Sequence, residues 1–305
     1  MILCCGEVLI DLVPAPGSAG GALLPLPGGG PFNTAIALAR LGAEAGFYGP
    51  VSTDGFGAGI AARLMSEGVQ LYGPRTSAPA PLAVVSLDAK GRADYSFYTE
   101  GTALHALPLS APPREQMPAE IALFGGISLG LEPCGTAFEA LFEQKKAEGA
   151  LILCDPNIRP AIIGSGEDCR ARLARMLPRS DILKLSDEDL AWISAEPEAQ
   201  LAAWLSAGVS LICLTLGAKG VRLLTPGLDI QLPALPVTLV DTIGAGDSFS
   251  AGLLQALWER GIRNPAQLRA VAETTLLQAA EFAQRVAALT CSRQGADPPT
   301  RKELG

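Results

Sequence analysis

The chain has 305 residues, 49% of them apolar, and a formal net charge of −8 at pH 7. That is enough apolar material for a large buried core, in one large unit or in one large and one small. The negative balance argues against nucleic acid or an anionic membrane as the main partner, and no apolar run reaches the ~18 residues of a membrane helix.

Ile2 to Val13 reads as an apolar strand interrupted by Glu7 and Asp11. Its first residues lack the basic flank of a secretory leader, so a cytoplasmic protein is expected. Phe32 to Leu41 is Ala-rich and stopped by Gly42, the pattern of a helix. Gly46 to Val51 reads as a short strand, and Ile60 to Glu67 as a helix stopped by Gly68. Ile121–Phe124, Leu151–Cys154, Ile182–Leu185 and Leu211–Leu216 are short apolar runs of buried-strand type. Helical stretches at Gly135–Glu148, Asp168–Leu177, Ser186–Ile193 and Pro197–Ala207 separate them.

This alternation predicts an α/β fold: a mostly parallel sheet covered by helices on both faces. Ligands of such sheets lie beyond the carboxyl ends of the strands. The stretches Asp155–Arg159, Ser186–Asp189 and Gly217–Gly220 each follow a strand, so they should converge on one edge. Segments 11–30 and 72–105 are different. They carry Pro, Gly and β-type runs, such as Leu82–Leu87 and Ala93–Tyr98 around an Asp88–Gly91 turn. They read as a small β-sheet lid inserted in the α/β core.

Seven cysteines without C-x-x-C spacing argue against a disulfide framework or a zinc site, and Cys4, Cys5, Cys154 and Cys213, which lie in apolar runs, read as buried small hydrophobes. The single histidine, His105, argues against histidine-based hydrolysis and multi-histidine metal sites.

Chemistry concentrates in Asp241-Thr242-Ile243-Gly244-Ala245-Gly246-Asp247. The small residues sit before a helix-like run, where free N–H groups and the positive helix end would hold an anion. A carboxylate there would repel that anion. Asp247 fits instead as the base that takes a proton from a nucleophile attacking a bound phosphate. Gly244, Ala245 and Gly246 would present N–H groups to the transferred phosphoryl, and Asp241 suits a cation or the orientation of the loop. Earlier, Gly28-Gly29-Gly30-Pro31-Phe32-Asn33 reads either as a capped turn or as a surface where a polyol lies on the backbone. In the second reading Asn33 and Asp11 bind its hydroxyls. Thr215 to Gly220 is a hairpin-like turn or a nucleotide contact. No Walker loop and no dinucleotide fingerprint occurs.

These two glycine motifs, in this order, resemble the two signatures of the PfkB (ribokinase-like) carbohydrate kinases, with bacterial fructokinases as the nearest pattern. The first spans Gly28 to Gly42 and the second Asp241 to Leu254. The resemblance implies a Rossmann-like three-layer α/β sandwich, one kinase domain over 1–305, and ATP with Mg²⁺. It implies γ-phosphate transfer to a sugar hydroxyl with Asp247 as base. Sugar contacts carry over to Asp11, Gly29, Gly30, Asn33 and, through the Asp155-Pro156-Asn157-Ile158-Arg159 motif, Arg159. ATP contacts fall to Ser186, Thr215, Gly217, Gly220 and Gly246. Ser186 and Asp189 stand where many members have N-x-x-E, so Asp189 would reach Mg²⁺ through water. A K⁺ site would use Asp241, Ile243, Thr290, Arg293 and Gly295.

Fructose is the expected substrate, with 2-keto-3-deoxygluconate, ribose or a nucleoside as alternatives. A catalytically silent sugar-binding regulator is the alternative of a different class. Segment 12–32 holds no Lys or Arg, which favours an unphosphorylated sugar. Phe97 to Ala103 resembles the lid return of bacterial fructokinases, but Leu104-His105 replaces a charged Asp-Arg pair. An exposed lid edge predicts a homodimer.

Overall fold

A computed structural model describes residues 1–15, 21–87, 93–110, 114–163 and 166–305. Its strands are β1 Ile2–Cys5, β2 Leu9–Pro14, β3 Leu23–Gly28, β4 Ala45–Tyr48, β5 Val51–Ser52, β6 Gln70–Leu71, β7 Arg75–Thr76, β8 Leu82–Leu87, β9 Ala93–Tyr98, β10 Ile121–Gly125, β11 Leu151–Asp155, β12 Ile182–Ser186, β13 Leu211–Thr215, β14 Val221–Leu224 and β15 Asp229–Leu232. The α-helices are α1 Gly30–Arg40, α2 Gly55–Ser66, α3 Cys134–Ala147, α4 Glu167–Met176, α5 Asp187–Ile193, α6 Pro197–Ala207, α7 Ala245–Glu259, α8 Pro265–Arg269 and α9 Glu273–Cys291.

The main sheet has the order β15-β14-β13-β12-β11-β10-β1-β4-β6. It is parallel from β6 to β13, and β14 and β15 add an antiparallel edge. Central strand β1 shows why the chain folds this way. Its side chains alternate between two faces, and both are dry. Ile2 and Cys4 pack with residues of α1, α7 and α9 on one side. Leu3 and Cys5 pack with α3, α4 and α6 on the other. The three-layer α/β arrangement expected from the alternation is therefore present. All seven cysteines are free thiols and six of them are buried.

After β1 the chain crosses to β4 on one side, and later to β10 on the other. The strand order reverses at this point, which opens a crevice beyond the carboxyl ends of β1 and β10. A second sheet, β3-β2-β8-β9, stands beside it and forms the lid. In that sheet β2 pairs parallel with β8, while β2–β3 and β8–β9 are antiparallel hairpin pairs. The Asp88–Gly91 turn lies outside the described residues.

Three expected elements are corrected. Ile2 to Val13 is not one strand: it breaks at Gly6–Val8 and feeds two different sheets. The Glu7 carboxylate turns inward to accept the Ser128 N–H at 3.1 Å, which a regular ladder would not allow. Gly46 to Val51 likewise breaks at Gly49-Pro50, where proline removes a ladder donor. Helix α2 starts earlier than expected because Asp54 caps it, accepting the Gly57 N–H at 2.7 Å.

Candidate active site

A cavity of about 260 Å³ opens at the crevice. Its walls are the β1–β2 turn (Glu7), lid residues Leu9, Asp11, Tyr95 and Phe97, the start of α1, the loop after β11, Lys184 of β12, and the 242–247 loop. Tyr95 and Phe97 are neighbours on one face of β9, with rings 6.0 Å apart and nearly parallel. They give the lid side of the cavity an aromatic wall.

Asp247 lies in the first turn of α7 and is 8% exposed. The turn into that helix depends on Gly244, whose φ of 76° and ψ of 2° are left-handed and cost a side chain dearly. The Asn33 Nδ2 donates to Asp247 Oδ2 at 2.9 Å, so the two glycine motifs meet side chain to side chain. Burial pushes the Asp247 carboxyl above the usual range. The Asn33 hydrogen bond, Lys184 and Arg159 pull it down, and Glu7 pushes it up. A buried carboxylate of raised basicity at a helix start is suited to taking a proton.

The N–H groups available to an anion differ slightly from expectation. Ala245 N already donates to Thr242 O at 3.2 Å. Gly246 N and Asp247 N have no backbone acceptor among the described residues. Of the three N–H groups expected to face an anion, that of Ala245 is therefore engaged within the turn.

Asp11 lies on β2 and faces the same cavity. Burial raises its carboxyl to about 6, against a downward pull from Arg159 and a further push from Asp247. A Cβ on Gly28 would lie 2.0 Å from Asp11 Oδ2, so glycine there is what leaves room for this carboxylate. Gly29 caps α1, and Gly30 begins it under both Asp247 and Asn157. Asn157, with a left-handed φ of 42°, was overlooked as a site residue although the Asp155–Arg159 motif contains it. Its Nδ2 is 3.1 Å from where a Gly30 side chain would begin, and Asp247 Oδ1 is 3.2 Å from the same point. Arg159 is exposed at the rim; its described hydrogen bond is a local one to Ile158 O. Glu7 and Lys184 were also missed. Each is a charge inside an apolar run, and that was the available signal.

Other expected residues lie outside the cavity and have partners within the protein. The Ser186 hydroxyl accepts from Asp189 N, and Asp189 Oδ2 accepts from Ser186 N, a closed capping box at the start of α5. Asp189 Oδ1 also accepts from Ile158 N at 2.7 Å, so both carboxylate oxygens are engaged. Asp189 is 5% exposed and does not line the cavity. Asp241 accepts from Ile243 N at 3.0 Å and Gly295 N at 2.8 Å, which ties the 241–244 loop to the chain after α9. Thr290 is fully buried and donates to Ser248 Oγ at 2.8 Å. Arg293 is bridged to Glu303. Gly217 is exposed at a turn, Gly220 packs against the Leu232 carbonyl, and Thr215 donates to Leu185 O. His105 is exposed away from the cavity, while Leu104 is buried in the core beside it. Neither residue of the Leu104-His105 departure thus lines the cavity.

The model of the pfkB family carbohydrate kinases matches residues 1–303. The chain belongs to this family. A fructokinase of Rhizobium leguminosarum bv. trifolii is 40% identical over 281 residues, covering 90% of this chain and 85% of that one. Among solved structures, a Xylella fastidiosa fructokinase with bound ATP superposes with a TM-score of 0.90 at 29% identity, covering 99% of this chain and 96% of that one. A Vibrio cholerae O395 fructokinase with bound fructose, ADP and calcium ion gives 0.82 at 26% identity, covering 99% and 97%. A double mutant of the Vibrio enzyme was solved with fructose, ADP and potassium ion. This pfkB kinase therefore has an α/β fold shared with enzymes that bind nucleotide, sugar and metal ions. Among its described residues no helix is long and apolar enough to cross a membrane.

Proposed function

We propose that this chain is an ATP-dependent fructokinase acting on free fructose. The observation that carries the reading is the Asn33–Asp247 contact at 2.9 Å, which sets a raised carboxylate between a hydroxyl-binding surface and an anion-binding helix end. In the reaction the sugar hydroxyl gives its proton to Asp247 Oδ. The sugar oxygen bonds to the γ-phosphorus, the bond from phosphorus to the β–γ bridging oxygen breaks, and ADP leaves. The N–H groups of Gly246 and Asp247 hold the phosphoryl oxygens as charge redistributes. Asp11, Asn33, Asn157 and Arg159 hold the hydroxyls, with Tyr95 and Phe97 against the carbon skeleton.

The nucleotide is proposed to run from this helix end towards Ser186, Thr215 and Gly217. Val237, Leu239, Val240 and Ile243 are 38–63% exposed on the approach and offer an apolar surface to the base. Among the described residues no cluster of three or more carboxylate, His or Cys ligands could cage a metal. Mg²⁺ is proposed to be held mainly by the nucleotide phosphates and water, with Asp189 reaching it only through water. Mg²⁺ would neutralise phosphate charge there. K⁺ is proposed near Asp241 and the Thr290–Gly295 turn, and Leu23, Leu24 and Tyr98, exposed on the two edge strands of the lid, support a homodimer.

The test offers Mg-ATP with fructose, 2-keto-3-deoxygluconate, ribose, adenosine and fructose phosphates and measures ADP. Fructose should give the highest kcat/KM. A higher value on any other acceptor, or no turnover, would overturn the reading.

A further inference from the structure

Lys184 is a charge in the middle of the main sheet, 5% exposed. Its ammonium lies 3.0 Å from Asp155 Oδ2 and 3.2 Å from Oδ1. Asp155 is held in turn by the Ser250 hydroxyl at 3.2 Å. Ser250 sits three residues after Asp247 on α7, so the lysine is anchored to the helix that carries the base. A buried ion pair is a poor way to gain stability, since an apolar pair of similar volume is often as good or better. Packing alone does not explain it.

Its position suggests what else it does. Nζ is 2.8 Å from where a side chain on Gly246 would begin. The backbone at Gly246 is not left-handed, and the atoms a Cβ there would meet belong to the end of the Lys184 side chain, which lies directly beneath the first turn of α7. Lys184 also lines the cavity. An ammonium has three donors, and among the described residues Asp155 is its only hydrogen-bond partner. The cavity wall holds three carboxylates, Glu7, Asp11 and Asp247, against two cations, Arg159 and Lys184. Arg159 belongs to the rim, which leaves Lys184 as the cation beside the anion-binding helix end.

We propose that Lys184 is a further catalytic residue. Held by Asp155, it completes the anion hole from beneath Gly246 and donates an N–H to a non-bridging oxygen of the phosphoryl group in transfer. It gives up no proton and forms no covalent bond. The proposal rests on the kinase reading above.

The experiment compares wild type, Lys184→Met and the double variant Lys184→Met/Asp155→Leu. It follows fructose turnover, thermal melting, and the affinities for ADP and for ADP with aluminium fluoride in the presence of fructose. Lys184→Met should lower kcat by about 10²–10³-fold, the cost of losing one such donor. The KM for fructose and the ADP affinity should stay within a few-fold. Affinity for the fluoride complex, which mimics the phosphoryl in transfer, should fall by a factor similar to kcat. The double variant removes both charges of the buried pair, so it should regain most of the melting temperature lost by the single variant without regaining turnover. It also decides the matter if the single variant does not fold. Turnover that returns with stability, or an unchanged fluoride affinity, would overturn the proposal. A wild type inactive on fructose sinks the function reading. An active wild type beside a variant of normal kcat sinks only the role of Lys184.

Discussion

Replacing Asp247 by Asn exchanges one proton-accepting oxygen for an amide of the same shape. The structure then demands opposite effects on activity and stability. For activity, loss of a positioned general base costs about 10²–10⁴-fold in kcat. The geometry can survive, because the carbonyl oxygen of the new amide can still accept the 2.9 Å bond from Asn33. For stability, burial is the largest influence on Asp247 and raises its folded pKa above that of an unfolded chain. An acid so displaced folds more readily in its neutral form. At pH 8 the charged wild type therefore pays about 1.4 kcal/mol for each pH unit separating the two pKa values. That penalty disappears as the pH falls below the unfolded value, near 4. Asp247→Asn should thus melt at or above the wild-type temperature at pH 8, and the two should converge as the pH approaches 4. A coupled ADP assay at saturating fructose and calorimetry at pH 5 and 8 measure both. A variant with nearly normal kcat would remove Asp247 as the base. One that melts several degrees lower at pH 8 would refute the claim that the carboxylate is held at a cost.

Other outcomes follow from neighbouring contacts. Burial raises Asp11 to about 6 and also raises Asp247. Both charges are therefore lost as the pH falls, and kcat/KM for fructose should drop about tenfold per pH unit where one of them is protonated and about a hundredfold where both are, the fall having begun by roughly pH 6; a limb first appearing at pH 4 would contradict this. Asn33→Ala removes a hydrogen bond that lowers the Asp247 pKa. Its acid limb should move to higher pH and kcat should fall by about 10–100-fold, whereas an unmoved limb would show that the contact does not tune the base. Gly28→Ala places a Cβ 2.0 Å from Asp11 Oδ2 and must displace it. Steady-state kinetics should show a higher KM for fructose with a smaller change in kcat, and a loss confined to kcat would place Asp11 elsewhere.

Much is legible in the residues. The alternation of short apolar runs with helical stretches predicts the covered sheet, because a strand buried on both faces must be apolar throughout, as Leu151–Cys154 is. Asp247, Asn33 and Asp11 stand out because each breaks a small or apolar run. Less legible are places where one segment serves two sheets. Glu7 interrupts an apolar stretch as Asp11 does, yet it bonds to the backbone of a turn more than a hundred residues away. Lys184 is hidden within a strand because its partner Asp155 comes from the neighbouring strand. The motif position of Asp189 points to a metal, and only the structure shows that Ser186 and Ile158, one local and one distant, also hydrogen-bond its oxygens.

By itself, then, the sequence determined the α/β architecture, the lid segments, and a phosphoryl-transfer motif with a carboxylate at its end. Those features depend on local periodicity and on residues near one another in the chain. Only the tertiary structure decided which charges meet. Asn33 touches Asp247 across 214 positions, and Lys184 reaches Gly246 from another layer. Such contacts are set by strand order and helix packing, and a buried carboxylate or ammonium takes its properties from whatever that packing brings within reach.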